Sequence, residues 1–129
     1  MKLKLFATVT ALLSAIAAGT AIAHHSFTAE FDADKPIELT GIVTKVEWTN
    51  PHAWLFIDVK EDAGTVTTWA FELGSPNGLM RSGWSRTSVK IGDVITVEGS
   101  RAKNGSHNAN ARVVTLNGRR LFAGSSENN

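Results

Sequence analysis

Cysteine is absent from this sequence of 129 residues. The chain therefore forms no disulfide bond, and it has no thiolate for nucleophilic catalysis or for binding soft metal ions. Its fold depends on the core that its hydrophobic residues, 43% of the total, can build.

A surplus of positive charge is absent as well. The 13 lysines and arginines face 12 aspartates and glutamates. Lys2 and Lys4 lie in a segment that we predict to be removed, and 13 minus these two leaves 11 basic residues and a net charge of about −1. A general nucleic-acid-binding protein needs a basic stripe to neutralise phosphates. We therefore expect no nucleic acid among the partners.

Catalytic signatures are missing too. Glu72 is a lone carboxylate without a partner of matched pKa, which is a poor basis for acid–base catalysis. Ser75 precedes Pro76 and shows no nucleophile-elbow pattern. We expect no enzymatic activity, and no cofactor other than a metal ion such as Cu(II).

The first 23 residues have the three parts of a secretory signal peptide. Lys2 and Lys4 form a positive region, an apolar run covers residues 5–18, and Ala21-Ile22-Ala23 is a small-x-small cleavage box. The apolar run is short for a membrane span. We predict cleavage after Ala23, a periplasmic or secreted mature chain, and no stable membrane insertion.

Cleavage there gives a mature chain that begins with His24-His25-Ser26-Phe27. The imidazole and the free α-amine of His24 can chelate one metal ion, because an amine with a pKa of about 7.7–8.0 loses its proton to a metal at neutral pH. Nitrogen donors suit Cu(II) best among the first-row divalent ions. The alternative is that His24 and His25 belong to a solvated tail.

The pattern of the mature chain indicates one domain with two flanks. Residues 24–36 are an extended, acidic lead-in, residues 37–123 carry the strands, and residues 124–129 form a polar tail that we expect to be disordered. The first strand covers residues 37–48 and bends at Gly41, where the alternation changes phase. Further strands are predicted at 53–60, 65–73, 94–102, 109–116 and 119–122.

Ser75 and Pro76 open a short helix between the third and fourth strands. Three strands, a helix and two strands with a short appendage follow the plan of the OB-fold, whereas a β-sandwich needs about seven strands. We predict an all-β, OB-fold-like barrel of five to six strands with one short helix between strands 3 and 4. OB barrels bind many ligands, so the fold leaves the function open.

Five motifs resemble a known family: HHSF at 24–27, EFD at 30–32, EWTNPHAW at 47–54, WAFELGSP at 69–76 and GDV at 92–94. They are similar to a family of small exported bacterial proteins that is catalogued as a domain of unknown function. The resemblance spans nearly the whole mature chain. It implies export and a small β-barrel, and it carries over no activity.

His52 lies in the loop that enters the second strand. Its imidazole either caps that strand by hydrogen bonding or joins His24 and His25 in a nitrogen-rich metal site, with Glu47 or Asp32 as an oxygen donor. The spacing is not a zinc signature. His107 lies in a polar loop, where we expect it to be solvated.

Four further residues form a predicted ligand-binding set: Trp48, Trp54, Trp84 and Arg81. The tryptophans either pack the core and the barrel ends or stack on a flat ligand such as a sugar. Arg81 near Trp84 can hold an anionic group.

The sequence therefore predicts a non-enzymatic periplasmic binding module. Its ligand is a metal ion or a small molecule at the barrel end that carries His24, His25 and His52. The alternative is a protein-interaction or envelope-structural module that has an envelope protein as its partner and binds no metal.

Overall fold

A computed structural model describes residues 28–124. The predicted signal peptide, His24, His25 and residues 125–129 of the predicted tail lie outside this range. The described elements are, in chain order, β1 (Phe31–Glu47), β2 (Trp54–Lys60), β3 (Val66–Glu72), α1 (Pro76–Arg81), β4 (Val94–Ala102), β5 (Asn108–Leu116) and β6 (Arg119–Phe122).

The strands form one sheet in the order β3-β2-β1-β4-β5-β6. Neighbours in this order are antiparallel, and a short parallel pairing of β3 with β5, from Ala70↔Asn108 to Glu72↔Asn110, closes the sheet into a ring. β6 pairs with β5 beyond this closure. The all-β, OB-fold-like barrel with one short helix between strands 3 and 4 is confirmed.

β1 serves two neighbours because of its length. Its first part pairs with β4 as far as Ile42↔Val94, and its last part pairs with β2 from Ile42↔Asp58 to Glu47↔Trp54. The strand begins at Phe31, so the predicted lead-in at residues 24–36 ends earlier than expected. Asp32–Lys35 look irregular in the sequence because this stretch is largely exposed and lacks apolar alternation.

The change of phase predicted at Gly41 is not a register shift in the structure. The register shift between β1 and β2 falls between Val43 and Lys45, and Gly41 is not among the glycines with positive φ. A side chain at Gly41 would overlap the carbonyl oxygen of Asp58 on β2. Glycine is therefore required here by the close approach of two backbones.

The core lies inside the ring and is built by alternation along the strands. Leu55, Ile57 and Val59 on β2 face inward with Trp69 and Phe71 on β3, and all five are buried. α1 covers one opening of the barrel with the buried Leu79. Its start is as predicted: the Ser75 hydroxyl accepts a hydrogen bond from the Gly78 amide at 3.1 Å, and Pro76 occupies the first turn.

Candidate functional site

One end of the barrel carries a cavity of about 560 Å³. Three parts of the chain meet there: the segment before β1, the start of β2, and the β4–β5 loop with its flanks. The lining residues are Ala29, Glu30, Phe31, Trp54, Ala102, Lys103, Asn104 and Asn108. In OB-folds, ligands bind on the face of strands 2 and 3 and on the loops after strands 1 and 4, so this cavity lies beside the customary binding surface.

His52 lies in the β1–β2 loop, two residues before the cavity-lining Trp54. Its Nδ1 lies 2.8 Å from the backbone carbonyl oxygen of Leu73. A carbonyl oxygen only accepts hydrogen bonds, so Nδ1 must carry the proton in this contact. In the neutral ring the lone pair then lies on Nε2. This is the tautomer in which a histidine can bind a metal ion through Nε2.

Glu72 is the nearest carboxylate to His52. Its Oε1 lies 3.7 Å from His52 Nδ1, and the Glu72 side chain is only 14% exposed. Burial raises the pKa of Glu72 above its ordinary value; the positive charge of His52 opposes this shift and the negative charge of Glu30 adds to it. A carboxylate, an imidazole and a second carboxylate therefore act on one another at this end of the barrel.

Backbone hydrogen bonding fixes Glu30 at the same end. The Lys103 amide donates to the Glu30 carbonyl oxygen at 2.8 Å, which attaches the segment before β1 to the β4–β5 loop. The described chain thus enters the fold at the rim of the cavity. The sequence indicated neither this contact nor the roles of Glu30, Lys103, Asn104 and Asn108, because the parallel pairing of β3 with β5 leaves no local pattern.

The predicted metal ligands are only partly described. Within residues 28–124, no group of three or more histidine, aspartate and glutamate side chains is placed to hold a metal ion. Asp32 pairs with Lys35 at 3.8 Å and Glu47 with Lys45 at 2.6 Å, so neither predicted oxygen donor faces His52 in an ion pair. His24 and His25 lie outside the described residues.

The structure brings three of the predicted ligand-binding tryptophans together. Trp48, Trp54 and Trp84 line a space of about 10 Å³, which is no larger than one water molecule requires. Trp84 is 5% exposed, and its indole N–H donates to the Phe122 carbonyl oxygen at 2.8 Å. Trp84 is therefore part of the core, whereas Trp54 also borders the large cavity.

Arg81 and His107 are not among the residues that line this small space. Arg81 is exposed in the last turn of α1, and Arg86 instead lines the small space beside Trp84. His107 is exposed, as predicted, but its ring is tilted against the Trp69 ring at 5.1 Å between centroids.

This fold and cavity define an OB-fold-like domain with a small-ligand-sized opening at one end. The chain belongs to a family described as a family of unknown function (DUF6152), whose model matches residues 11–111. This confirms the resemblance found in the sequence. No curated protein sequence matches the chain.

Among solved structures, the fold is similar to the mitochondrial single-stranded DNA-binding protein Rim1 of S. cerevisiae. The TM-score is 0.51 at 10% sequence identity, and the match covers 64% of this chain and 93% of the other. At this identity the likeness establishes the fold alone. The described part of the chain has no helix of the length and apolarity needed to cross a membrane.

The expectation of no nucleic acid partner is overturned by this neighbour. A protein that binds single-stranded DNA has the same fold, and the expectation depended on the net charge of the whole chain. A nucleic acid contacts one face of a protein, so the charge of that face decides binding. The overall charge balance cannot exclude such a partner.

Proposed function

We propose that the chain is an exported, non-enzymatic binding module that holds a divalent metal ion, with Cu(II) preferred, at the barrel end around His52. The observation that carries the proposal is the hydrogen bond from His52 Nδ1 to the Leu73 carbonyl oxygen. It leaves Nε2 as the atom of the neutral ring that can donate to a metal. A free, solvated histidine would have no such fixed orientation.

The chain path supports a contribution from the mature N-terminus. Ala29 and Glu30 line the cavity, and Glu30 acts electrostatically on Glu72, the carboxylate beside His52. His25 lies four residues before Ala29, a separation that the backbone can span over at most about 14 Å. His24 and His25 are therefore within chain reach of the cavity rim, where we propose that they supply further nitrogen donors.

Processing is part of the proposal because the α-amine is one of the donors. Signal peptidase cleavage after Ala23 would free the amine of His24 next to its imidazole. N-terminal sequencing of protein recovered from the cell envelope should therefore begin at His24. A chain that retains Met1 in that pool would lack both the export step and the chelate.

Calorimetric titration with Cu(II) tests the metal site. A processed chain that starts at His24 is compared with the same chain acetylated at its N-terminus, because acetylation converts the α-amine of His24 to an amide and supplies no new amine. We expect the processed chain to bind at least about tenfold more tightly, as one strong nitrogen ligand is lost. Equal affinity of the two chains would contradict the N-terminal chelate.

A second function has support from the outer face of β2. Trp54 and Phe56 are half-buried aromatic residues on this face, and Lys45 Nζ lies 5.1 Å from the centre of the Phe56 ring. Aromatic rings beside cations are the features on which single-stranded nucleic acids stack. Titration of the chain with a fluorescent oligothymidylate at low salt tests this function, and a Phe56→Ala variant should weaken the binding.

An exposed apolar surface where β1 meets β4 supports the alternative of a protein-interaction module. Ile42 and Val94 form a cross-strand pair between β1 and β4, and they are 51% and 58% exposed. Ile91, which precedes β4, is exposed as well. Such apolar side chains favour contact with a protein partner. Cross-linking in the cell envelope from position 94, with position 66 on β3 as control, tests this role.

A further inference from the structure

We infer that the 560 Å³ cavity binds an uncharged saccharide ring, independently of any metal ion. The cavity has the size of pockets that bind small molecules. It is lined by one tryptophan, two asparagines, one carboxylate and one ammonium group. This goes beyond the proposed function, because none of the cavity-lining residues is one of the proposed metal ligands.

Trp54 provides the apolar wall. Trp54 borders both the large cavity and the tight space of about 10 Å³ that it shares with Trp48 and Trp84. Its side chain is half-buried, so packing restricts the indole and part of it stays accessible to a ligand. A fixed aromatic face with its negative π cloud suits the C–H face of a sugar ring, whose hydrogens carry a small positive charge.

The two asparagine side chains of the cavity are held in position by the β4–β5 loop. Asn104 Oδ1 accepts hydrogen bonds from the Ser106 amide at 3.0 Å and from the Ser106 hydroxyl at 2.6 Å. Asn108 Nδ2 donates to the Ser106 hydroxyl oxygen at 3.1 Å. Each side-chain amide thus makes its hydrogen bonds within the loop through one of its two polar atoms. The Asn104 N–H groups and the Asn108 carbonyl oxygen remain for a ligand.

The charges at the cavity favour an uncharged ligand. Glu30 and Lys103 carry opposite formal charges, and their side chains form no ion pair with each other in the described structure. A carboxylate accepts hydrogen bonds and an ammonium donates them, so the two match adjacent hydroxyl groups, which do both. A sugar ring offers hydroxyl groups along its edge and an apolar face for Trp54.

The test is a titration of the full mature chain with cellotriose, maltotriose and the N-acetylglucosamine trimer. Binding is followed by saturation-transfer NMR and tryptophan fluorescence, with EDTA present so that no metal takes part. We expect at least one of the three to bind with a dissociation constant of about 1 mM or lower. Asn108→Ala should weaken that binding about fivefold through one lost hydrogen bond, while Asn77→Ala, an exposed asparagine on α1, should leave it unchanged.

Trp54→Ala should abolish binding, but this variant removes a packed side chain, so the two asparagine variants decide the result. Two outcomes would overturn the inference. One is the absence of binding by all three sugars up to about 10 mM. The other is equal affinity of the Asn108→Ala and Asn77→Ala variants. Binding of a short oligothymidylate that Asn108→Ala weakens, without binding of any sugar, would assign the cavity to a nucleic acid instead.

Discussion

His52 and Leu73 are joined by a hydrogen bond of 2.8 Å from the imidazole Nδ1 to the backbone carbonyl oxygen. The contact connects the β1–β2 loop to the residue that follows β3. Around it, the Ala53 amide donates to the Gly74 carbonyl oxygen at 3.0 Å, and the Leu73 amide donates to the Ala53 carbonyl oxygen at 2.9 Å. His52 therefore has one nitrogen committed to the fold, and only Nε2 remains for a ligand.

Glu72 should make the free energy of unfolding depend on pH, and Glu72→Gln should remove this dependence. Burial raises the pKa of this carboxyl above its ordinary value of 4.5, so the folded state holds the proton more tightly than the unfolded state. The protonated Glu72 carboxyl stabilises the folded state at low pH. This contribution is lost as the pH rises from the ordinary pKa of the carboxyl through its raised pKa in the folded state. At neutral pH the variant should therefore be more stable than the natural chain.

Urea denaturation of both chains from acidic to neutral pH measures this difference. The advantage of Glu72→Gln should grow as pH rises through that interval and then stay constant. Glu61→Gln in the exposed β2–β3 turn is the matched control and should show no such trend. A Glu72→Gln chain that is less stable at neutral pH would mean that attraction to His52 outweighs the cost of burial.

Two buried tryptophans differ in one hydrogen bond. Trp84 and Trp69 are 5% and 6% exposed, but only the Trp84 indole donates to a described partner, the Phe122 carbonyl oxygen. Replacement by phenylalanine removes similar apolar area from each. Trp84→Phe should therefore cost about 1–3 kcal/mol more in unfolding free energy than Trp69→Phe, because it leaves a carbonyl oxygen without its donor. Chemical denaturation of both variants checks this, and equal losses would contradict it.

Gly41 should not tolerate a side chain even though its φ is ordinary. A Cβ there would overlap the Asp58 carbonyl oxygen, which belongs to the backbone of β2 and cannot rotate away. Gly41→Ala should lower the unfolding free energy by roughly 1–3 kcal/mol. Gly78→Ala is the control: it lies in α1, where a Cβ would meet only side-chain atoms, the Ser75 hydroxyl at 3.2 Å and Arg81 Nη2 at 4.0 Å. Alanine also favours the helix by about 0.5–1 kcal/mol. Thermal unfolding of both chains measures the two effects. A Gly41→Ala chain as stable as the natural chain would contradict this account.

Alternation and cap chemistry predict most of this fold. Inward-facing residues such as Leu55 and Ile57 and the cap at Ser75 follow local rules that the sequence displays. Within α1, Leu79 is buried whereas Met80 is 50% exposed, because a short helix presents only one side to the barrel.

The candidate site was less predictable than the fold. His52 and Trp54 stand out in the sequence by residue type, but Glu30 and Asn108 reach the same cavity through pairings between distant segments. The Glu30 carbonyl oxygen accepts from Lys103, and Asn108 pairs with Ala70 across the parallel closure. These contacts depend on where β4 ends and β5 begins, which no local pattern in the segment before β1 indicates.

The most direct test of the metal proposal separates the two nitrogens of His52. In His52→Asn the amide nitrogen takes the place of Nδ1 and can still donate to the Leu73 carbonyl oxygen, whereas nothing replaces Nε2. The matched control is His107→Asn, which removes an exposed imidazole from the β4–β5 loop. Calorimetric titration of the processed chains with Cu(II) should show affinity at least about tenfold lower for His52→Asn and unchanged for His107→Asn. If His52→Asn binds Cu(II) as tightly as the natural chain, His52 serves the fold alone and the proposed metal site is wrong.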